Sequence, residues 1–281
     1  MKTNHLLQLL LLSFLIIIVS CSESTNPTLS NKHDVGNTNL YKPICPDAYS
    51  PKYGKKLGIW SINRGFSDYS YYKNTLGFSM AVSGKIKNDY GPSTAVFSQN
   101  IMQAMSKDPT NWNNIVDAAP AKIYEIEEPL AHSEGNPDSW GYSYLSLVNY
   151  IINTANHIQT TRPNSELRIS VSSTDISNYL SDYQFIASQC SNVSFMYSSY
   201  DHPLQARKNK WAYVCNNLPV KAHWINANYD YVNGQMFDEL IAYASSLGLN
   251  ELWLYCGDGE VNLERFSCDA WKKGWLEEKA E

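Results

Sequence analysis

The segment Tyr124-Glu125-Ile126-Glu127-Glu128-Pro129 carries three carboxylates within four positions. Carboxyl groups held close together do proton chemistry. Burial or a neighbour's charge drives one towards its neutral, proton-donating form, while another stays ionised and accepts a proton or attacks. The segment reads as a β-strand. Such charge is out of place in a strand buried on both faces, which ordinarily runs as a continuous apolar stretch, and burying unpaired charge is costly. Period-two alternation puts Glu125 and Glu127 on one face and Tyr124 and Ile126 on the other. With the Tyr124 face against covering helices, Glu125 and Glu127 point into the interior of a closed sheet. Glu128 then sits at the rim, in the turn fixed by Pro129. A competing reading pairs Glu125 and Glu127 with interior Lys or Arg, so that they only hold the sheet together.

Cleavage chemistry by carboxylates needs a second group across the reacting bond. Asp201, which follows Tyr197-Ser198-Ser199-Tyr200, is the first choice, and Asp230 in Asn226-Ala227-Asn228-Tyr229-Asp230 the second. The chain is rich in rings, with 20 Tyr and 8 Trp, which mildly favours a polar organic ligand stacked on an apolar ring face. Trp60, Trp224 and Tyr255 are the stacking candidates, with Arg64 and Asp258 as further polar residues at strand ends. His223 falls mid-strand and reads as a core residue; His132 and His202 are ordinary polar positions. The histidines are scattered and no Cys-x-x-Cys pair exists, which argues against a metal site. No Gly-x-Ser-x-Gly elbow supports a serine triad, and no cofactor is implied.

These groups need a scaffold that gathers strand ends. Seven β-rich runs are visible: Lys56–Ile62, Gly77–Val82, Lys122–Glu127, Leu167–Ser172, Val193–Ser198, Val220–Asn226 and Glu251–Cys256. Helical stripes fall between them. Tyr144, Val148, Ile151, Ala155 and Ile158 form one, stopped by Pro163; Met236, Leu240, Ala244 and Leu247 form another, closed by Gly248. Alternating strands and helices make a parallel sheet in an α/β protein. The expected fold is a (β/α)8-type, TIM-like barrel with one strand missing, irregular or unrecognised. The alternative is an open doubly wound sheet. That fold brings a Gly-rich phosphate loop after an early strand, and Ile62-Asn63-Arg64-Gly65 is not one. In a barrel the site lies where strands end and βα loops begin, and nearly every strand here runs into polar residues at that end.

Glu128-Pro129 at a strand end, preceded by a polar residue, resembles the acid/base segment of many (β/α)8-barrel glycoside hydrolases. The closing segment Leu252-Trp253-Leu254-Tyr255-Cys256-Gly257-Asp258 resembles the last strand of such barrels, where an aromatic floors the sugar pocket. The resemblance is architectural and spans roughly residues 55 to 278. It implies a glycan-acting hydrolase in which Glu128 is the general acid and Glu127 contacts a substrate hydroxyl. The family's usual second Glu, on a later strand, has no counterpart here, which leaves Asp201 or Asp230 as its replacement. The alternative is a non-catalytic carbohydrate-binding surface lipoprotein on a degenerate barrel.

The N-terminus sets the compartment. Lys2 precedes an apolar run, Leu6 to Val19, that ends in Ser20-Cys21. This is the layout of a secretory signal, and it resembles a bacterial lipoprotein signal, whose Cys becomes lipidated. The run is short for a membrane-spanning helix, which takes about 20 apolar residues. The resemblance implies cleavage before Cys21, an acyl chain such as palmitate on that residue, and export to the periplasm or cell surface of a bacterial envelope. Residues 21–52 read as a flexible tether, and 53–281 as a single barrel domain. Cys45, Cys190, Cys215, Cys256 and Cys268 remain, enough for up to two disulfides. The net charge is −5, and no basic run exceeds a pair such as Lys55-Lys56 or Lys272-Lys273. That excludes a nucleic-acid footprint and a polybasic membrane patch. The membrane is a partner through the lipid alone.

Overall fold

The computed structural model describes residues 56–61, 69–74, 76–83, 97, 100–197, 204–226 and 234–256. Eight strands close into one parallel barrel in chain order. They are β1 (Lys56–Ser61), β2 (Met80–Ser83), β3 (Ile101–Ala104), β4 (Ile123–Glu127), β5 (Glu166–Val171), β6 (Val193–Tyr197), β7 (Val220–Asn226) and β8 (Glu251–Cys256). Closure is unambiguous. β1 pairs with β8 over six residues, from Lys56 against Glu251 to Ser61 against Cys256. The open doubly wound alternative is therefore ruled out. The seven expected strands are all present, and the unrecognised eighth is β3. It is four residues long, and Gln103 interrupts its apolar character, so neither length nor alternation marks it.

Helices α1 (Tyr69–Asn74), α2 (Trp112–Ala118), α3 (Tyr144–Thr161), α4 (Ser173–Gln189), α5 (Leu204–Asn217) and α6 (Gly234–Ser246) lie between the strands. α3 forms where the sequence puts it. Ser143 caps its N-terminus by accepting the Ser146 N–H, and Leu147, Val148, Ile151, Ala155 and Ile158 are buried against the sheet. α4 opens with a capping box between Ser172 and Asp175. α6 buries Leu240, Ile241 and Ala244. Gly248 follows it with φ +75°, a left-handed conformation that glycine adopts without a Cβ penalty.

The alternation of each strand divides the apolar residues into two cores. The outer one lies between sheet and helices and includes Leu57, Ile59, Tyr124, Ile126, Leu167, Ile169, Phe195, Tyr197, Leu252 and Leu254. The inner one fills the barrel with Trp60, Met80, Val82, Met102, Ala104, Ile123, Met196, Ala222, Trp224 and Trp253. Tyr124 and Ile126 thus face the helices, and Glu125 faces the interior as the alternation requires. Gly58 has a packing reason. It lies directly beside Trp253, and a Cβ at position 58 would come within 2.3 Å of that indole ring. A larger residue there excludes the tryptophan that fills the barrel centre.

Candidate functional site at the carboxyl ends of the strands

The interior is polar at both ends. At the N-terminal end, Arg168 of β5 is fully buried and forms ion pairs with Glu166 on its own strand and Glu251 of β8. Its Nε–H donates to Ser194 Oγ of β6 at 3.2 Å. Lys221 of β7 closes the group through Glu166, and the Trp253 indole N–H donates to Glu251 at 3.3 Å. Burial alone would push the Glu166 carboxyl up, but Arg168 and Lys221 outweigh it and hold it below the usual carboxylate range. Burial likewise works against the Arg168 charge, and Glu251 and Glu166 more than compensate. This network, drawn from four strands, ion-pairs the N-terminal end of the interior.

The C-terminal end is built differently. Glu125 is buried, with 1% of its surface exposed, and accepts the Ser170 hydroxyl of β5 at 2.8 Å. Glu127 ends β4 half-buried, and Glu128, also half-buried, is the first residue of the turn beyond it. Glu128 has φ +46°, the only left-handed non-glycine residue among those described. An L-residue pays about 1–2 kcal/mol for that conformation. The surrounding bonds over-determine it. The Glu128 N–H donates to the Ser170 carbonyl at 2.9 Å, continuing the β4–β5 ladder one residue past the strand. Its carbonyl accepts the Ala131 N–H at 3.1 Å, starting the turn that Pro129 shapes. Strain of this kind concentrates at functional sites.

Beneath this turn lies a buried pair. The Tyr183 hydroxyl of α4 donates to Asp175 Oδ1 at 2.9 Å. Burial pushes the Asp175 carboxyl up against the opposing Tyr183 and Ser172 bonds. Burial also lifts the Tyr183 phenol far above its ordinary value, with the charges of Asp175 and Glu128 adding to the push. Tyr183 therefore lies within electrostatic reach of Glu128.

Trp60, Trp224 and Tyr255, the three stacking candidates, pack against one another. Trp60 and Trp224 have ring centroids 4.8 Å apart, and Tyr255 meets both edge-on, at 5.4 Å and 5.0 Å. Their exposures differ. Trp60 is fully buried and Trp224 nearly so, whereas Tyr255 is half-buried. Trp60 thus backs the floor from below and Tyr255 offers the more open ring. The Trp224 indole N–H is buried, with no hydrogen-bond partner among the described residues. Arg64, Asp201, Asp230 and Asp258 lie outside the described residues, as do His202 and Cys21.

Two sequence expectations acquire a definite structural setting. His223 is buried between β7 and α5, its Nδ1 2.9 Å from the Tyr197 carbonyl and its ring against Trp211. Cys190 and Cys215 are free thiols, and burial raises both. Sequence reasoning missed a cleft of about 440 Å³ lined by Lys107, Asp108, Asp138, Ser139, Trp140 and Tyr142. The only signal for it is Asp108-Pro109, a turn-initiating pair after an unrecognised strand.

No family model matches the chain, and no curated protein does. Solved structures do resemble it. A GH10 xylanase containing a bacterial Ig-like domain, from termite gut, superposes with a TM-score of 0.50 at 8% identity, over 83% of this chain and 80% of that one. A psychrophilic family 10 endo-β-1,4-xylanase gives 0.49 at 11% identity, over 73% and 86%. A citrate lyase from Burkholderia xenovorans gives 0.47 at 11% identity, over 81% and 79%. At such identities the likeness is one of fold alone, and the closed eight-stranded parallel sheet itself shows the (β/α)8 barrel.

Proposed function

We propose that this chain is a glycan-acting hydrolase whose chemistry sits at the carboxyl end of the barrel, with Glu128 as general acid. The observation that carries the reading is the turn after β4. There a glutamate is held in a strained left-handed conformation, beside Glu127, in a barrel whose mouth is floored by Trp60, Trp224 and Tyr255. Strain is retained where a side chain has to be aimed. Glu127 would hold a substrate hydroxyl and Tyr255 a sugar face, with Trp224, Arg64 and Asp258 completing the contacts. Asp201 is the proposed second carboxylate and Asp230 its substitute. Their distance from Glu128 decides the outcome: about 5–5.5 Å implies retention and about 6.5–9.5 Å inversion.

Glu128→Gln keeps the shape of the side chain and removes its proton. Turnover of a cleavable glycan should fall by about 10²–10⁴-fold, with the melting temperature unmoved. A loss of only a few-fold on a folded protein would make the domain a binding module. That second reading draws on the later strand ends, which carry Asp201, Asp230 and Asp258 and no Glu. The same proposal has the domain outside the cell, tethered by lipid on Cys21. Metabolic labelling with a tagged fatty acid should mark the wild type and not Cys21→Ala; equal label on both would remove the anchor.

A further inference from the structure

The cleft is built from two connections at the carboxyl face of the barrel, β3 to α2 and β4 to α3. Its acceptor is oriented in advance. Asp108 Oδ1 takes the Thr110 N–H at 3.0 Å, the Thr110 hydroxyl at 2.7 Å and the Tyr142 hydroxyl at 2.8 Å. The Thr110 and Tyr142 hydroxyls, with the Thr110 N–H, hold the Asp108 carboxyl below its ordinary value. No hydrogen bond from a described residue reaches Oδ2. One oxygen of the carboxylate is thus fixed and the other is left to the cleft.

The aromatic wall is equally fixed. Trp140 stacks on His132 with centroids 4.8 Å apart and planes 12° from parallel, and it meets Trp112 edge-on. The Trp140 N–H donates to the His132 carbonyl at 2.8 Å, and His132 Nδ1 bonds the Asp138 carbonyl at 2.8 Å. The Trp140 indole N–H is buried and has no acceptor among the described residues. A rigid indole, an aimed carboxylate and an exposed lysine side by side make a site for a hydroxyl-rich ring with an apolar face. The mixed charges narrow the class. Lys107 disfavours an amino sugar, while Asp108 and Asp138 disfavour a uronic acid or phosphate.

We infer that this cleft is a second sugar-binding subsite, taking a neutral sugar unit of an oligosaccharide whose other end occupies the barrel mouth. The inference rests on the glycan reading of that mouth. It extends the reading, because the connection that begins at Glu128 goes on to carry Asp138, Trp140 and Tyr142.

The test uses the full chain in a non-glycosidic detergent, carrying Glu128→Gln to prevent cleavage. Cello-, xylo- and manno-oligosaccharides of two and six units are titrated by calorimetry. The expected result is tighter binding of a hexaose than of its biose. In Asp108→Ala the hexaose-to-biose affinity ratio should fall at least about fivefold, the worth of one good hydrogen bond. Trp140→Ala should do the same and Trp140→Phe should recover part of the loss. Should Trp140→Ala fail to fold, Asp108→Ala and Lys107→Ala, both at exposed positions, carry the measurement. A bound biose with a ratio that neither exposed variant changes overturns the subsite and leaves the mouth reading standing. If no member of the panel binds, the mouth reading falls and the subsite with it.

Discussion

At the N-terminal end of the barrel interior, Arg168 is met by Glu166, Glu251 and Ser194, and Glu166 also by Lys221. At the C-terminal end the Trp224 indole N–H is buried and finds no partner among the described residues, and Glu128 sits in a strained backbone conformation. Both ends place polar groups inside a barrel, where desolvation makes them expensive. One end compensates each charge with another and gains rigidity. The other leaves donors and strain unresolved, which lowers stability and is retained only where something else gains from it. In barrels of this class the N-terminal face reads as stability and the C-terminal face as chemistry. The contrast here has the same polarity, and it rests on hydrogen-bond satisfaction in one chain.

The contrast breaks most decisively at Arg168. Arg168→Met removes the buried cation and strands Glu251 with only the Trp253 N–H. Breaking a buried pair from one side costs about 3–5 kcal/mol. For a domain of this size the melting temperature should then fall by on the order of 10 °C. Adding Glu251→Leu should recover part of the loss, because two apolar groups replace the pair without an orphan charge. Glu128→Gln should show the opposite pattern, with a large fall in rate and none in melting temperature. If Arg168→Met leaves stability intact, or Glu128→Gln lowers it as far, the two ends do not differ in the way argued.

Much of this organisation is legible in the amino-acid sequence. The strand periodicity, the helix stripe Tyr144 to Ile158 and the Gly248 stop all reflect local chemistry, which a single sequence displays. So does the inward direction of Glu125, because alternation fixes it once Tyr124 faces the helices. What stays hidden depends on partners distant in sequence. Arg168 and Glu251 are 83 positions apart, and nothing in either strand announces the other. The strain at Glu128 comes from a bond to Ser170 across the ladder. β3 is hidden for another reason, since four residues with a central Gln are too few to show a period. Trp60, Trp224 and Tyr255 each stand near the carboxyl end of a strand, which the sequence shows, but not that they pack against one another. Which of them is open to a ligand is a matter of packing, and only the structure separates half-buried Tyr255 from buried Trp60.

The smallest expected effect concerns β7, whose two faces carry the contrast in miniature. Trp224 points into the barrel and its neighbour His223 out towards α5. A carbonyl only accepts, so the His223 Nδ1–H donates to Tyr197, and Nε2 is buried with no partner among the described residues. Burial pushes the ring's pKa well below the ordinary histidine value, and the Arg207 charge adds to the push, against a weaker opposing bond to Tyr197. In the unfolded chain His223 titrates near pH 6.5. As the pH falls through that value, the unfolded state gains a proton that the folded state refuses. Stability then drops, with a limiting slope of about 1.4 kcal/mol per pH unit, until the folded-state pKa is reached. Above that window the group contributes no slope. His223→Gln removes the titration and keeps a donor for the Tyr197 carbonyl. Melting temperatures of the two proteins should run parallel from pH 8 to 7 and diverge from pH 6.5 to 5, the wild type losing more. The buried Asp175 carboxyl titrates in the reverse sense, since its raised pKa adds stability as the pH falls, but both proteins share it and it cancels in the difference. Glu166, whose pKa is lowered, acts only at more acidic pH. Parallel curves down to pH 5 would mean that His223 takes up its proton without unfolding the barrel, and that the helix-facing side of β7 admits water.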